Sequence, residues 1–245
     1  MSRDSIQNGI ILLALITLVV IFTSASGSFF SLNNFHSILL TAVPVGLIAI
    51  GECICIMGGY FEMSVGMIAA MGGLMAADVM NACHSPALTV LVVCLMGAAA
   101  GFIAGIAVSR LKMNAFITTF ALQQTYRGII YIWTNGGWSK SMQKPLYDSL
   151  TWIGKYKVFG LVQLPVVIMI VIYILSWLVM KYTKLGRSFY LIGNNAKAAR
   201  ICGIDVANSR LALFIYCDIL AALAGMLYAL RVSSAAAFIG DTYCM

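Results

Sequence analysis

The chain has 245 residues, of which 62% are hydrophobic and only 9% charged, and its formal net charge is +7. A soluble domain carries roughly 25% charged residues, so this composition excludes a globular surface in water and predicts a polytopic membrane protein. Lys and Arg gather in a few loops, which reads as orientation in a bilayer rather than as a nucleic-acid surface.

Apolar runs at 9–27, 38–57, 64–80, 87–109, 115–133, 161–180 and 209–230 predict an all-α transmembrane bundle forming a single domain over 1–245. Most are close to the ~20 residues that a helix needs to cross ~30 Å of hydrocarbon. The first run could be a signal peptide, because the small residues "TSASGS" follow it. Its leader "MSRDSIQN" sets one Arg against one Asp, however, and a signal peptide opens on a basic segment. A retained helix is expected. The third run, "SVGMIAAMGGLMAADVM", is short and glycine-rich and follows the polar "GGYFEM". That pattern predicts a broken or re-entrant third helix, which membranes allow only where protein or a cavity covers the backbone.

The fourth run holds Gly97, Gly101 and Gly105 at four-residue spacing, and "ALAG" at 222–225 forms a second small patch. Lipid gives no hydrophobic drive for helices to associate, so such small ridges predict close backbone contact. The fifth run contains "FALQQTYRGIIY", with Gln123 and Arg127 four apart on one helical face. Glu52, Arg127 and Asp218 lie within spans, and Asp78 lies near a span end, where it suits the interface. A charge at the bilayer centre costs about 3 kcal/mol on insertion scales, so each needs a partner, a cavity or the interface. Glu52, Gln123 and Arg127 are candidates to line a polar pathway; equally, Arg127 could pair with Glu52 or Asp218 for structure alone.

The loop at 134–160 contains "TNGGWSKSM" and Pro145 and reads as irregular, or as carrying a short surface helix. With the N-terminus inside, the cytoplasmic side takes Arg3, Arg110, Lys112, Lys181, Lys184, Arg187, Lys197, Arg200 and Arg210. The outside takes fewer basic residues, Lys140, Lys144, Lys155, Lys157 and Arg231, so this orientation is the expected one.

Between the last two runs stands "GNNAKAARICGI". Asn194 or Asn195 can cap a helix, Ala196 to Arg200 are good helix formers, and Gly203 suits the left-handed position past its end. A helix of about two turns is unstable alone in water. It therefore needs a seat, either on its own bilayer or in a groove of another protein. The small face of Ala198, Ile201 and Cys202 suits a protein groove better than lipid.

No HExxH, GxSxG or P-loop occurs, and "LIGNN" is no dinucleotide fingerprint. No cofactor, metal or catalytic residue is expected, and any ATPase must be a separate chain. The seven cysteines sit mostly in apolar runs without a CxxC pair, so they are expected as small core residues.

Four segments in order carry a resemblance to the binding-protein-dependent ABC permeases for simple sugars, of the ribose, xylose and galactose type. They are "NNFHSILLTAVPVGLIAIGECICIMGGYFEMSVGMIAA", "AGFIAGIAVSRLKMNAFITTFALQQTYRGIIYIWTNG", "TKLGRSFYLIGNNAKAARICGIDV" and "ALFIYCDILAALAGMLYALRVSSAAAFIG". The resemblance covers nearly everything from about Leu32 onward. Glu62 stands where the family has Asp, Ile106-Ala107 where Asn-Gly is common, Ala115 where Pro is common, and Cys217-Asp218 where Ser-Gly is common. Family members continue past the last of these segments with roughly three more spans of about 20 residues, so the resemblance implies a C-terminally shortened permease.

The resemblance implies a type II importer fold whose short cytoplasmic helix is a coupling helix, with matched positions Gly193, Asn194, Asn195, Ala198, Ala199, Arg200 and Gly203. It further implies an ATPase subunit, an extracytoplasmic sugar-binding protein, a second permease, alike or different, and a place in a bacterial inner membrane. The expected function is therefore the membrane subunit of an ATP-driven importer for a ribose-like monosaccharide. Two alternatives stay open at this point: an ion-coupled secondary carrier using Glu52, Arg127 and Asp218, and a shortened permease that does not transport.

Overall fold

The computed structural model describes residues 3–136, 139–141, 156–158, 162–235 and 240. Helices dominate: α1 (Arg3–Ala25), α2 (Leu32–Met57), α3 (Val65–Cys83), α4 (Pro86–Ser109), α5 (Ala115–Trp133), α6 (Leu164–Tyr182), α7 (Lys184–Ile201) and α8 (Val206–Val232). Short strands β1 (Lys140–Ser141), β2 (Lys157–Val158), β3 (Val162–Gln163) and β4 (Ser234–Ala235) pair antiparallel, β1 with β4 and β2 with β3. Most of the 134–160 loop, expected to be irregular or to carry a short surface helix, lies outside the described residues.

Among the described residues α2, α3, α4, α6 and α8 are long and apolar enough to cross a membrane, and α1 adds a shorter apolar stretch, Gly9–Ser24. Helix α5 has 19 residues, but Thr118, Thr119, Gln123, Gln124, Thr125 and Arg127 make it more polar than these. The architecture is the expected all-α polytopic bundle.

The chain forms two compact units, Met1–Thr41 and Ala42–Met245. In the first, Phe22 stacks on Phe29 with ring centroids 5.8 Å apart, and Asn34 Nδ2 donates to the Phe29 carbonyl at 2.8 Å. These contacts fix the turn between α1 and the start of α2.

In the second unit α8 is the central element, packed between α3 and α4. The glycine ridge of α4 makes this possible. A Cβ on Gly97 would lie 2.7 Å from the Asp218 carbonyl oxygen, one on Gly101 2.5 Å from Ile215 Cα, and one on Gly105 2.7 Å from Leu211 Cδ1. The opposite side of α8 does the same against α3: a Cβ on Gly225 would strike the Ala69 carbonyl. The backbones thus touch where larger residues would hold them apart, as expected of small residues in lipid.

Helix starts follow local capping chemistry. Asn114 Oδ1 accepts from Ile117 N at 3.3 Å to open α5, and Asp205 Oδ1 accepts from Ala207 N and Asn208 N at 3.0 Å each to open α8. Ser85 with Pro86 opens α4.

One expectation is corrected. Helix α3 is not broken; it runs from Val65 to Cys83, and Gly72 and Gly73 inside it give α8 room to approach. The irregular backbone is confined to residues 58–64, ahead of α3. There the N–H groups of Glu62, Met63 and Ser64 bond to side chains instead of a helical ladder, to Glu52 Oε1 (3.0 Å), Thr119 Oγ1 (3.1 Å) and Glu62 Oε1 (2.9 Å) respectively. Protein side chains thus supply what a membrane cannot.

The unit has two distinct ends. At one, α7 meets the end of α2 and the start of α8, and Arg110 Nη2 donates to Asn208 Oδ1 at 2.6 Å. At the other, Lys140 pairs with Asp78 at 2.7 Å, Asn81 Nδ2 donates to the Ser141 carbonyl at 3.2 Å, and β1 joins β4.

Candidate functional site

Helix α7 turns back sharply from α6: Thr183 Oγ1 accepts from Gly186 N at 3.2 Å, and the absent Gly186 side chain lets the backbone close on Met180. The helix has two limbs. Asn195 is extended (φ −158°, ψ 100°), and its Oδ1 accepts from Lys197 N at 3.0 Å and Ala198 N at 3.1 Å. Asn195 therefore ends one limb and caps the next. The second limb closes at Gly203 (φ +80°), with Ile204 N donating to the Ala199 carbonyl at 3.1 Å. The expected short capped helix is this second limb. The first limb, 184–194, extends the helix beyond the short one expected, although Gly186, Ser188 and Gly193 are weak helix formers.

Two residues seat α7. A Cβ on Gly193 would strike the Met57 carbonyl oxygen, so the kink rests directly on the α2 terminus; Gly59 (φ +84°) lies under it. Ala199 is 1% exposed and packs with Ile192 and Val206, flanked by Tyr60, Ala196 and Ile204. The seven candidate coupling positions thus divide. Ala199 faces inward and holds the helix, whereas Gly193, Asn194, Asn195, Ala198, Arg200 and Gly203 are exposed. Beside them Ile201 is 89% exposed. The result is a small apolar surface of Ala198, Ile201 and Cys202 bordered by Lys197 and Arg200. Beneath it the Arg210 guanidinium lies 5.3 Å from the Tyr60 ring. Burial raises the Tyr60 phenol above its usual range, and the Arg210 charge works against that rise.

A second cluster lies where residues 58–64 meet α2, α5 and α8. Glu52 is half-buried, Glu62 is 1% exposed and Asp218 is fully buried. Glu62 Oε1 accepts from both the backbone N and the Oγ of its neighbour Ser64, the latter at 2.5 Å. Glu52 Oε2, Glu62 Oε2, both Asp218 carboxyl oxygens, Gln123 Oε1 and the Tyr126 hydroxyl have no hydrogen-bond partner among the described residues. Helix α5 turns Thr119, Gln123, Tyr126 and Ile130 inward at helical spacing, while Arg127 is half-buried. Glu62 and Asp218 lie near enough to Tyr126 to act on it electrostatically.

Of the candidate pathway residues, Glu52 and Gln123 thus belong to one polar cluster around segment 58–64, and Arg127 lies one turn beyond Gln123. Asp218, named above only for the ion-coupled alternative, joins the cluster, and so do Glu62 and Tyr126, which were not candidates. The available sign was that Glu62 and Asp218 both depart from the family pattern; both lie in the surroundings of Tyr126.

The family model described as branched-chain amino acid transport system / permease component matches residues 34–245. The ribose import permease protein RbsC of Escherichia coli (strain K12) is 31% identical over 232 residues, 95% of this chain and 72% of that protein. Its namesake from Haemophilus influenzae is 32% identical over 231 residues, covering 94% of this chain and 71% of its own length. The autoinducer 2 import system permease protein LsrC of Yersinia pestis (strain Pestoides F) is 31% identical over 226 residues, 92% of this chain and 63% of that protein. No solved structure matches the chain. The matched region takes in the polar cluster and both limbs of α7 alike, and with it the chain belongs to the family of branched-chain amino acid transport system permease components.

Proposed function

We propose that this permease is the membrane subunit of an ATP-driven importer for a ribose-like monosaccharide. An extracytoplasmic binding protein delivers the sugar, and two permease chains, alike or different, enclose its path. ATP hydrolysis belongs to a separate ATPase subunit. The protein sits in a bacterial inner membrane with its N-terminus in the cytoplasm, an orientation supported by the basic residues at the α7 end, Arg110, Lys197, Arg200 and Arg210 among them.

The observation that carries this reading is the second limb of α7. It is too short to be stable alone, is seated firmly through Gly193 and Ala199, and offers Ala198 and Ile201 outward. Such a helix suits the cleft of a partner whose closure it passes on, provided that the contact differs between nucleotide states. The names of the relatives favour a small hydroxylated solute, and the polar groups at Glu52 and Gln123 are compatible with one.

The test is Ala198→Asp with Ile201→Glu in the permease reconstituted with its ATPase and binding protein. Loss of ATPase co-purification and of radiolabelled ribose uptake, with an unchanged melting temperature for the permease alone, is the expected result. Retention of both activities removes α7 from the coupling role. Uptake of leucine but not ribose by the wild type replaces the substrate class.

A further inference from the structure

We propose that Glu52, Cys55 and Cys217 form a binding site for a thiophilic cation of the Zn2+ or Cd2+ class, which clamps α2 to α8. The carboxylate oxygen and the two Sγ atoms all lie within 4.8 Å of one another. A tetrahedral ion with metal–sulfur bonds of ~2.3 Å holds its ligand atoms roughly 3.8 Å apart, so only small side-chain movements close the site. Two thiols and a carboxylate are a donor set suited to zinc-like ions, and three protein ligands leave a fourth position open.

The backbone already brings these groups together. Glu52 and Cys55 are three apart on one face of α2, and α2 approaches α8 through Gly51, where a Cβ would lie 3.2 Å from the Cys217 Sγ. Glu52 is also held from behind. Its Oε1 accepts from Glu62 N at 3.0 Å, while its Oε2 has no partner. That arrangement orients a carboxylate toward an ion.

The independent observation is Asp218. It follows Cys217 directly, is 0% exposed, and neither of its carboxyl oxygens has a hydrogen-bond partner among the described residues. It is the chain neighbour of Cys217 and is not one of the three clustered ligands. Cys55 and Cys217 are buried and Glu52 is half-exposed, so the ion reaches the site from the Glu52 side. Glu52 is shared with the polar groups proposed to suit the solute, so the test reads ion binding and not uptake.

The test uses the full-length chain with Cys53, Cys83, Cys94, Cys202 and Cys244 replaced by alanine, kept reduced in detergent and titrated with Cd2+ alone. The expected result is an ultraviolet thiolate-to-Cd2+ charge-transfer band that saturates at a single ion per chain, with proton release, and that Zn2+ displaces. Cys55→Ser or Cys217→Ser abolishes the band. Glu52→Gln, a change at a half-exposed position, weakens binding by roughly tenfold or more while keeping the helical circular dichroism. A folded protein without the band, a band of undiminished affinity in Cys55→Ser or Cys217→Ser, or unchanged affinity in Glu52→Gln overturns the site.

Discussion

Asn195 does two jobs with one side chain. Its extended backbone interrupts α7, and its carbonyl oxygen receives the N–H groups of Lys197 and Ala198. Asn195→Ala should cost about 1 kcal/mol of local stability. Hydrogen exchange at residues 197–200 should then speed up by roughly fivefold, with no change in α8. The cap was legible from "GNN" followed by helix formers, since capping is decided within three residues. The inward turn of Ala199 was not, because which side of a two-turn helix finds a core depends on Ile192 and Val206. The two faces of this limb are separable by substitution. Ala199→Asp buries a carboxylate and should lower permease stability by on the order of 3 kcal/mol, seen as a lower melting temperature and poor recovery. Ile201→Glu, at an exposed position, should leave the melting temperature unchanged and lose only the ATPase contact.

At the scale of elements, the α4–α8 contact rests on the absence of side chains. Gly101→Leu inserts a branched side chain where the Ile215 Cα and the Phe214 carbonyl already stand, and it should destabilise by about 1–3 kcal/mol or more. Gly128→Leu is the control. A Cβ at Gly128 meets nothing within 4 Å, so its melting curve should overlay that of the wild type. The glycine ridge was legible in the sequence because its four-residue spacing names one helical face. Its partner was not, since small residues show only that something comes close. Helix positions were likewise readable from runs of apolar residues. The broken third helix was misplaced because polarity in "GGYFEM" was extended into residues that keep a regular ladder. The polar cluster was hidden for a simpler reason: Glu62 and Asp218 are far apart in the chain and meet only once α8 lies against α3.

At the scale of the whole molecule, the two ends of the larger unit differ in chemistry. The α7 end is rich in arginine and lysine, and the opposite end is tied by Lys140 and Asp78. Cys202 and Cys83 are both exposed and lie at opposite ends, on α7 and at the end of α3. In variants retaining one of them as the sole cysteine, a membrane-impermeant maleimide should label Cys83 in intact spheroplasts and Cys202 only in inverted vesicles. The reverse pattern would invert the orientation.

The seat of α7 also bears on how force travels. Gly193 rests on the Met57 carbonyl, and the chain just beyond Met57 is segment 58–64, tethered to Glu52 and Thr119 through its own N–H groups. Side chains absorb a push by changing rotamer, whereas main chain pressed on main chain has no such slack. Under the proposed coupling role, a load applied to the kink reaches the strip of irregular backbone that carries Glu62 through main-chain contact. Under the coupling role proposed for α7, a stiff contact at this point serves better than a flexible joint.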